Sequence, residues 1–243
     1  VSPKKKLILE LVEKKLIATD VYEFLFKPNY KIKFEPGQYM EWTLGHNAQD
    51  SRGMRRYFTI ASSPEEQHIG MGIKFYPNSS TFKQAMLSLV VGEKIVASQL
   101  AGDFILPKDK SNKLVFIAGG IGVTPFRSMI KHLLDINEKR DIVLFYSNKN
   151  PADIAYKEIF DEAGLEMGVR TVYTVTEKPC PIGWAGENCF IDEALIKKNV
   201  SDYKERTFYI SGPQAMGVTF GELLQKMGVK KSQIKKDFFP GLA

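Results

Sequence analysis

A short apolar run followed by a glycine-rich turn constrains the fold of this chain more than any other feature. Leu114 to Ala118 is continuously apolar, three glycines lie within Gly119 to Val123, and Thr124-Pro125 opens a stretch of helical periodicity. A continuously apolar strand is typical of a parallel sheet covered on both faces, and proline fits the first turn of a helix. The pattern predicts a strand–turn–helix unit whose turn can approach a phosphate at the helix amino terminus.

The same alternation of strand and helix continues to the carboxyl end of the chain. It predicts a parallel sheet with helices on both faces, which is an α/β domain. The predicted strands are 114–118, 142–146, 169–175 and 207–211, and the predicted helices are 125–136, 153–163, 192–198 and 214–227.

The first half of the chain has a different pattern. Short strands separated by Pro-Gly, Pro-Asn and glycine turns predict an antiparallel β-barrel or sandwich, and one helix is capped by Ser80 or Thr81. A polar segment, 107–112, separates the two patterns, so we expect a β-barrel domain over 1–108 and an α/β domain over 109–243. The predicted strands of the first half are 7–12, 21–26, 38–44, 56–60, 70–76 and 94–97.

The length, charge and cysteine content of the chain limit the classes of function that it can have. The chain has 243 residues, enough for two domains, and 34 Lys and Arg against 28 Asp and Glu give a net charge of +6. Such a surface favours an acidic protein, a nucleic acid or an anionic membrane, although a solvated basic face explains it equally well. Cys180 and Cys189 are too few for a zinc or iron–sulfur ligand set and are compatible with a reducing compartment. Because the chain begins at Val1, we expect a processed protein or part of a longer one.

A second candidate site lies in the first half, from Arg55 to Pro64. Arg56 and Phe58 share one face of the predicted strand, and Tyr57 and Thr59 share the other. An arginine can bind a phosphate, an aromatic ring can stack on a planar ligand, and a hydroxyl can reach a ring nitrogen. The alternative is an amphipathic strand with one surface arginine.

Three turns in the second half follow predicted parallel strands, at 119–125, 147–150 and 212–213. Ligands of open α/β sheets bind in the crevice at these strand ends. The glycine spacing is not G-x-G-x-x-G, so the usual dinucleotide fingerprint is absent.

Taken in order, these motifs resemble those of the ferredoxin–NADP reductase superfamily, in particular its stand-alone flavin reductase branch. The resemblance covers nearly the whole chain. The matching segments are Pro36-Gly37-Gln38-Tyr39, Arg56-Tyr57-Phe58-Thr59 (R-x-[YF]-[ST]), Ser79-Ser80-Thr81-Phe82, Gly119 to Pro125 (G-G-x-G-x-T-P), Gly212-Pro213 with Met216 (G-P-x-x-M), and Asp237 to Gly241.

The resemblance implies a role for each position. Arg56 would pair with the flavin pyrophosphate, Phe58 would stack on the flavin ring, Thr59 would approach the hydride-accepting nitrogen, Ser211 would lie beside the nicotinamide, and Phe239 would cover the flavin. The implied catalytic residues are Thr59, Ser211 and Phe239, and no metal is implied. The implied cofactor-binding residues are Arg56, Tyr57, Phe58, Thr59, Ile73, Lys74, Ser80, Thr81, Phe82, Gly119, Gly120, Gly122, Thr124, Pro125, Gly212, Pro213, Met216 and Phe239.

Two positions depart from the family pattern. Ser211 stands where the family often has cysteine, which removes a thiol from the site, and Leu242 stands where close relatives often end in tyrosine. Stacking by the carboxyl-terminal tail therefore rests on Phe239.

The resemblance implies an NAD(P)H:acceptor oxidoreductase with FAD, or FMN as the close variant, that passes electrons to a redox partner protein or domain outside this chain. The net positive charge is compatible with an acidic partner. A non-catalytic electron-relay or regulatory subunit that binds flavin is the second hypothesis, and a basic nucleic-acid or membrane-surface binder is the third. We expect a cytoplasmic protein or the cytoplasmic-facing domain of a membrane-attached parent. The turn with Lys149 offers one cation and no arginine, which favours NADH weakly over NADPH.

Overall fold

A computed structural model describes residues 6–47, 49–179, 182–187 and 189–237. The chain forms an antiparallel sheet followed by a parallel sheet with helices on both faces. The strands are β1 (Leu7–Ala18), β2 (Val21–Pro28), β3 (Tyr39–Thr43), β4 (Arg55–Thr59), β5 (Ile69–Lys74), β6 (Lys94–Ala101), β7 (Leu114–Gly119), β8 (Ile142–Asn148), β9 (Arg170–Val175), β10 (Thr207–Ser211) and β11 (Ile234–Lys236). The helices are α1 (Thr81–Ser88), α2 (Thr124–Asp135), α3 (Lys157–Met167), α4 (Glu193–Asn199) and α5 (Gln214–Lys226).

The first sheet has the strand order β4-β3-β6-β1-β2-β5, and every pair in it is antiparallel. Its edge strands, β4 and β5, meet through the residues that follow β4. The backbone N–H of Ala61 donates to the Gly70 carbonyl at 2.8 Å, and the Gly70 N–H donates to Ser62 Oγ at 2.9 Å. The predicted antiparallel β-domain is confirmed. These two bonds bring the edges of the curled sheet together, but β4 and β5 do not pair as strands, so the barrel is not closed by a ladder.

Aromatic side chains fill the barrel, because alternate strand positions point inward. Phe24, Phe26 and Trp42 are fully buried there, with Phe26 and Trp42 ring centroids 5.7 Å apart. Helix α1 closes one side, and its Phe82 and Met86 join the same core. The helix therefore begins at a fixed place beside β4.

The second sheet is parallel and has the order β11-β10-β7-β8-β9. Strand β7 lies between β8 and β10. The chain adds β8 and β9 on one side of β7 and then β10 and β11 on the other side. Ala118 on β7 is in register with Ser211 on β10. The carboxyl ends of these two strands lie side by side at the place where open α/β sheets bind their ligands.

Several elements differ from the sequence-based expectation, and β1 and β6 run on to Ala18 and Ala101 instead of ending at 12 and 97. β11 was not predicted, since a three-residue strand carries too little pattern. Helix α3 begins at Lys157 rather than at 153, because 151–153 forms a separate 3₁₀ turn and Tyr156 has a left-handed backbone (φ 58°). Strand β8 continues through Asn148, so Ser147 belongs to the strand instead of the following turn.

The two sheets pack against each other through α2 and the linking segment 102–113. Phe104 of this segment contacts Phe126 and Tyr209 of the α/β half, with centroid separations of 5.8 and 5.2 Å. On α2, Ser128 Oγ donates to the Ser62 carbonyl at 2.7 Å. None of the helices within the described ranges is long and apolar enough to cross a membrane.

Candidate functional site

The guanidinium of Arg56 lies over the Phe82 ring, 5.4 Å from its centroid. Its Nη2 donates to both carboxylate oxygens of Asp50 at 2.9 Å, and its Nη1 donates to three backbone carbonyls of the 52–55 segment. Desolvation of Asp50 opposes its ionisation, but hydrogen bonds from the Arg52 backbone and the Arg56 side chain outweigh it and lower the pKa of Asp50. Arg56 is therefore held in place by the loop before β4, and a phosphate there would compete with Asp50 for the guanidinium.

The end of β4 carries the polar atoms best suited to a bound ligand. Phe58 stacks on Phe82 with centroids 6.0 Å apart, and Thr59 is 4% exposed. Thr59 Oγ1 and Arg56 Nε are buried without a hydrogen-bond partner among the described residues. Buried polar atoms are normally partnered, so Arg56 Nε, near the start of β4, and Thr59 Oγ1, at its end, are each suited to bind a polar group of a ligand.

Tyr57 lies on the opposite face of β4 from Arg56 and Phe58. Its hydroxyl donates to Glu41 at 3.0 Å and its ring contacts Tyr39 edge-on, at 5.7 Å between centroids. The hydrogen bond to Glu41 raises the pKa of Tyr57. The structure thus separates Tyr57 from Arg56 and Phe58, as strand alternation requires.

The two strand residues expected to line a dinucleotide are placed differently from each other. Ile73 is 1% exposed and belongs to the barrel core, so only its backbone can face a ligand. Lys74 lies at the rim of β5, where its Nζ is 3.6 Å from Asp153 and its carbonyl accepts from Lys83 Nζ at 3.0 Å. Lys74 therefore connects the barrel to the turn after β8.

The amino terminus of α1 faces the same region. Ser80 is the N-cap, and its side chain accepts from the Lys83 N–H at 3.4 Å. Thr81 Oγ1 contacts His46 Nε2 at 3.1 Å and accepts from the Asp50 N–H at 3.2 Å, while Phe82 is buried in the barrel core. The helix dipole and these groups favour an anion beside Arg56.

The glycine turn after β7 packs tightly against the turn after β10. A Cβ on Gly122 would lie 2.6 Å from Gly212 Cα and from the Ser211 carbonyl oxygen, so no side chain fits there. The left-handed backbone belongs to Gly120, with φ 52°, and not to Gly122. Close approach of two backbones, and not an unusual φ, is therefore what requires glycine at 122.

The remaining residues of these two turns lie around the same crevice. Thr124 Oγ1 donates to the Ile121 carbonyl at 3.3 Å, and Pro125 occupies the first turn of α2. Pro213 is the N-cap of α5. The sulfur of Met216 covers Gly119 and Gly212, since it would clash with a Cβ on either glycine.

Ser211 has a partner that the sequence did not reveal. Its side chain is fully buried, and its Oγ is 3.2 Å from Asp237 Oδ2. The Asp237 N–H also donates to the Ile210 carbonyl at 2.8 Å, which continues the pairing beyond β11. A carboxylate thus orients the serine hydroxyl in the crevice. Phe239, the other catalytic residue implied here, lies outside the described residues.

The barrel site and the glycine turn adjoin through α2. Thr124 begins this helix, and one turn later Arg127 Nη1 donates to the Ala61 carbonyl at 3.1 Å, two residues beyond Thr59. The end of β4 and the glycine turn therefore both lie near the boundary between the two halves, which Arg127 joins. No group of side chains suited to hold a metal ion occurs in the described part of the chain.

Two family models match consecutive parts of the chain. The oxidoreductase FAD-binding domain matches residues 8–104, and the oxidoreductase NAD-binding domain matches residues 116–220. The first covers the barrel with its Arg56 site, and the second covers the parallel sheet except for β11, including both of its turns.

Curated relatives match the same two domains together. The chain is 26% identical over 225 residues to the glycine betaine monooxygenase reductase subunit of Chromohalobacter salexigens, covering 90% of this chain and 60% of the relative. It is 29% identical over 200 residues to one subunit of the Na⁺-translocating NADH-quinone reductase of Neisseria meningitidis, covering 76% and 49%. The chain therefore spans about half to three fifths of the length of these relatives.

A solved structure shares the fold. The Amycolatopsis cytochrome P450 reductase GcoB superposes with a TM-score of 0.84 at 23% identity, covering 98% of this chain and 71% of that one. The antiparallel barrel followed by a parallel α/β sheet is thus the arrangement of both chains.

Proposed function

Since the chain belongs to the ferredoxin–NADP reductase superfamily and carries its FAD-binding and NAD-binding domains, we propose that it oxidises NADH or NADPH and passes the electrons to an acceptor outside this chain. The supporting observation is that Thr59 Oγ1 is buried without a partner among the described residues, and that Arg127, on the helix that follows the Gly119–Pro125 turn, donates to the Ala61 carbonyl two residues beyond Thr59. We also propose that the FAD-binding domain ends at residue 108 and that the NAD(P)-binding domain begins at residue 109.

In this proposal, each half of the molecule contributes groups that bind a ligand. Bound FAD would supply the hydride-accepting ring and the one-electron steps that follow. Phosphate binds to Arg56 Nε and to the amino terminus of α1, where Ser80 and Thr81 lie. The flavin ring stacks on the Phe58 side chain and accepts a hydrogen bond from Thr59. FMN, which lacks the adenylate half, remains the alternative flavin.

The nucleotide half positions the hydride donor. Gly120 and Gly122 keep the turn free of side chains, so that the diphosphate can approach the amino end of α2. Thr124 and Ser211 lie at the carboxyl ends of the central strands, where the nicotinamide would bind. Asp237 holds the Ser211 hydroxyl at 3.2 Å and so fixes one polar contact beside the ring.

The acceptor is proposed as a separate protein or domain. The relatives are subunits of a monooxygenase and of a quinone reductase, and both are longer than this chain. The net charge of +6 and the exposed Arg55 next to the flavin strand support an acidic partner surface. We propose a cytoplasmic or cytoplasm-facing location, which the scarcity of cysteine supports.

Dye reduction tests this function against its main alternative, a non-catalytic flavin-binding relay or regulatory subunit. The FAD-loaded protein is mixed with excess NADH or NADPH and a soluble one-electron dye. A reductase reduces the dye through many turnovers. A relay subunit binds flavin but shows no sustained turnover, and that result would leave only the second hypothesis.

The choice between NADH and NADPH gives the next prediction. Lys149 is exposed, and its carbonyl accepts the N–H groups of Thr176 (3.2 Å) and Glu177 (2.8 Å), so an acidic residue lies beside the turn after β8. Asp153 caps the 3₁₀ turn and pairs with Lys74. A 2′-phosphate site needs more cations than this turn offers, so we expect NADH to be preferred and Lys149→Ala to leave the preference unchanged.

The measurement is the ratio of kcat/KM for NADH to that for NADPH in wild type and in Lys149→Ala, with Lys226→Ala, an exposed lysine at the end of α5, as the control. A strong preference for NADPH that is lost only in Lys149→Ala would make Lys149 a phosphate-binding residue and reverse the assignment.

A further inference from the structure

The two halves of the molecule contact each other at Gly72, a glycine whose backbone conformation does not require glycine. Gly72 on β5 is in register with Glu23 on β2 and lies outside the left-handed region. A Cβ at this position would lie 2.6 Å from Tyr156 Oη, 3.1 Å from Thr124 Cγ2 and 3.2 Å from Ile121 Cδ1. Backbone of the barrel thus contacts side chains of the nucleotide half directly.

Tyr156 is held firmly in this contact. Its side chain is 2% exposed, and its backbone is left-handed, with φ 58°, just before α3. Such a conformation is unfavourable for a non-glycine residue and persists only where the surroundings enforce it. Burial raises the pKa of Tyr156 well above its usual value, and the nearby Glu23 carboxylate adds to the effect. The phenol oxygen lies buried above Gly72 and has no hydrogen-bond partner among the described residues, so packing alone holds it there.

Arg127 fastens the same contact from α2. Its side chain is 6% exposed and lies over the Tyr156 ring, 5.4 Å from the centroid. It donates to both oxygens of Glu66 and to the Ala61 carbonyl, and its Nη2 is 3.9 Å from Glu23. All three of these partners belong to the barrel half. A buried charge with several acceptors on one side resists separation of the two halves.

The contact connects the two binding segments within a few residues. Ile121 and Thr124, which touch Gly72, belong to the glycine turn, and Ile73 and Lys74 directly follow Gly72 on β5. Any change in the spacing at Gly72 would therefore move the nucleotide turn relative to the flavin-binding strands. A misplacement of about 1 Å between reacting groups can cost about 100-fold in rate.

We propose that Gly72 and Tyr156 form a spacer that sets the distance between the barrel and the nucleotide turn, and that Arg127, bound to Glu66, holds this spacer closed. These are positioning residues, because none of them touches the reacting atoms. The inference rests on the proposed function, since the distance that it concerns is the one between hydride donor and flavin.

Stopped-flow reduction of the FAD-loaded protein by NADH tests the spacer. Gly72→Ala should slow reduction at saturating NADH by about tenfold or more, weaken the charge-transfer absorbance of the flavin–nicotinamide complex, and leave the apparent Kd of NADH and FAD binding nearly unchanged. Adding Tyr156→Phe should restore most of the lost rate, because it removes the atom nearest to the new Cβ. Gly217→Ala, where a Cβ meets open space, is the control.

The outcomes separate the spacer from its alternatives. Wild-type rates in Gly72→Ala, or a slow rate that Tyr156→Phe does not relieve, would overturn the proposal. If Gly72→Ala does not fold, the rate of flavin reduction at saturating NADH is measured in Glu66→Gln instead. A rate several-fold below that of wild type supports the spacer, and an unchanged rate contradicts it. A wild-type protein that binds FAD and is not reduced by either nucleotide would instead refute the proposed function.

Discussion

Gly122→Val should slow reduction of the bound flavin by NADH about 100-fold while the protein keeps its flavin. A Cβ at Gly122 would lie 2.6 Å from the Gly212 Cα and the Ser211 carbonyl oxygen and 2.7 Å from the Gly212 amide nitrogen. All three are backbone atoms, which cannot move aside as a flexible side chain can. The valine must displace the glycine turn and with it the amino end of α2, whereas no atom of the proposed flavin-binding residues of β4 and α1 is among those nearest to this Cβ.

The rate is measured by stopped-flow absorbance of the flavin under anaerobic conditions, with NADH varied. Gly217→Val is the matched control, because it adds the same side chain to the same half of the molecule where the space is open. Equal reduction rates in Gly122→Val and wild type would show that this turn does not bind the nucleotide.

Arg56→Ala should weaken FAD binding by about 10- to 150-fold, which corresponds to the roughly 1.5–3 kcal/mol of a hydrogen bond to a charged group. Arg55→Ala is the control, since Arg55 is the neighbouring residue, is mostly exposed and pairs with Glu41 on the other face of β4. The measurement is the Kd of FAD from fluorescence quenching in apoprotein titrations. An unchanged Kd in Arg56→Ala would contradict the assignment of the barrel site.

A third variant separates phosphate binding from loop support. Arg56 holds the Asp50 carboxylate through two hydrogen bonds of 2.9 Å, so losing the arginine also frees the loop. Asp50→Asn removes the competing charge and keeps the shape of the side chain. If Arg56 binds phosphate, this variant binds FAD as tightly as wild type or more tightly. If Arg56 only supports the loop, Asp50→Asn weakens FAD binding as Arg56→Ala does.

The sequence predicts the elements of this fold well because each element carries its own periodicity. Continuous apolar strands such as β7 and β10 predict the parallel sheet, and the R-x-[YF]-[ST] and G-G-x-G-x-T-P motifs predict where the two sites lie. Helix α3 shows the limit of local patterns. Its start depends on the 3₁₀ turn capped by Asp153 and on the left-handed backbone of Tyr156. The spacing of apolar residues predicts neither of these two features.

Contacts between distant residues are what the sequence does not reveal. Asp50 as the partner of Arg56, Asp237 as the partner of Ser211, and Tyr156 above Gly72 all depend on the packing of separate elements. Arg127 could have been suspected, since a charged residue on the apolar side of α2 requires a buried partner, but the identity of Glu66 required the structure.

Anaerobic titration of the FAD-loaded protein with NADH tests the central claim most directly. The account predicts an oxidised flavin spectrum in the purified, reconstituted protein, and loss of that absorbance with about one NADH per FAD, because a hydride carries both electrons. Reoxidation by an added one-electron acceptor should restore the spectrum. A protein that fails to bind FAD, or whose bound FAD keeps its oxidised spectrum in excess NADH and in excess NADPH, would contradict the account.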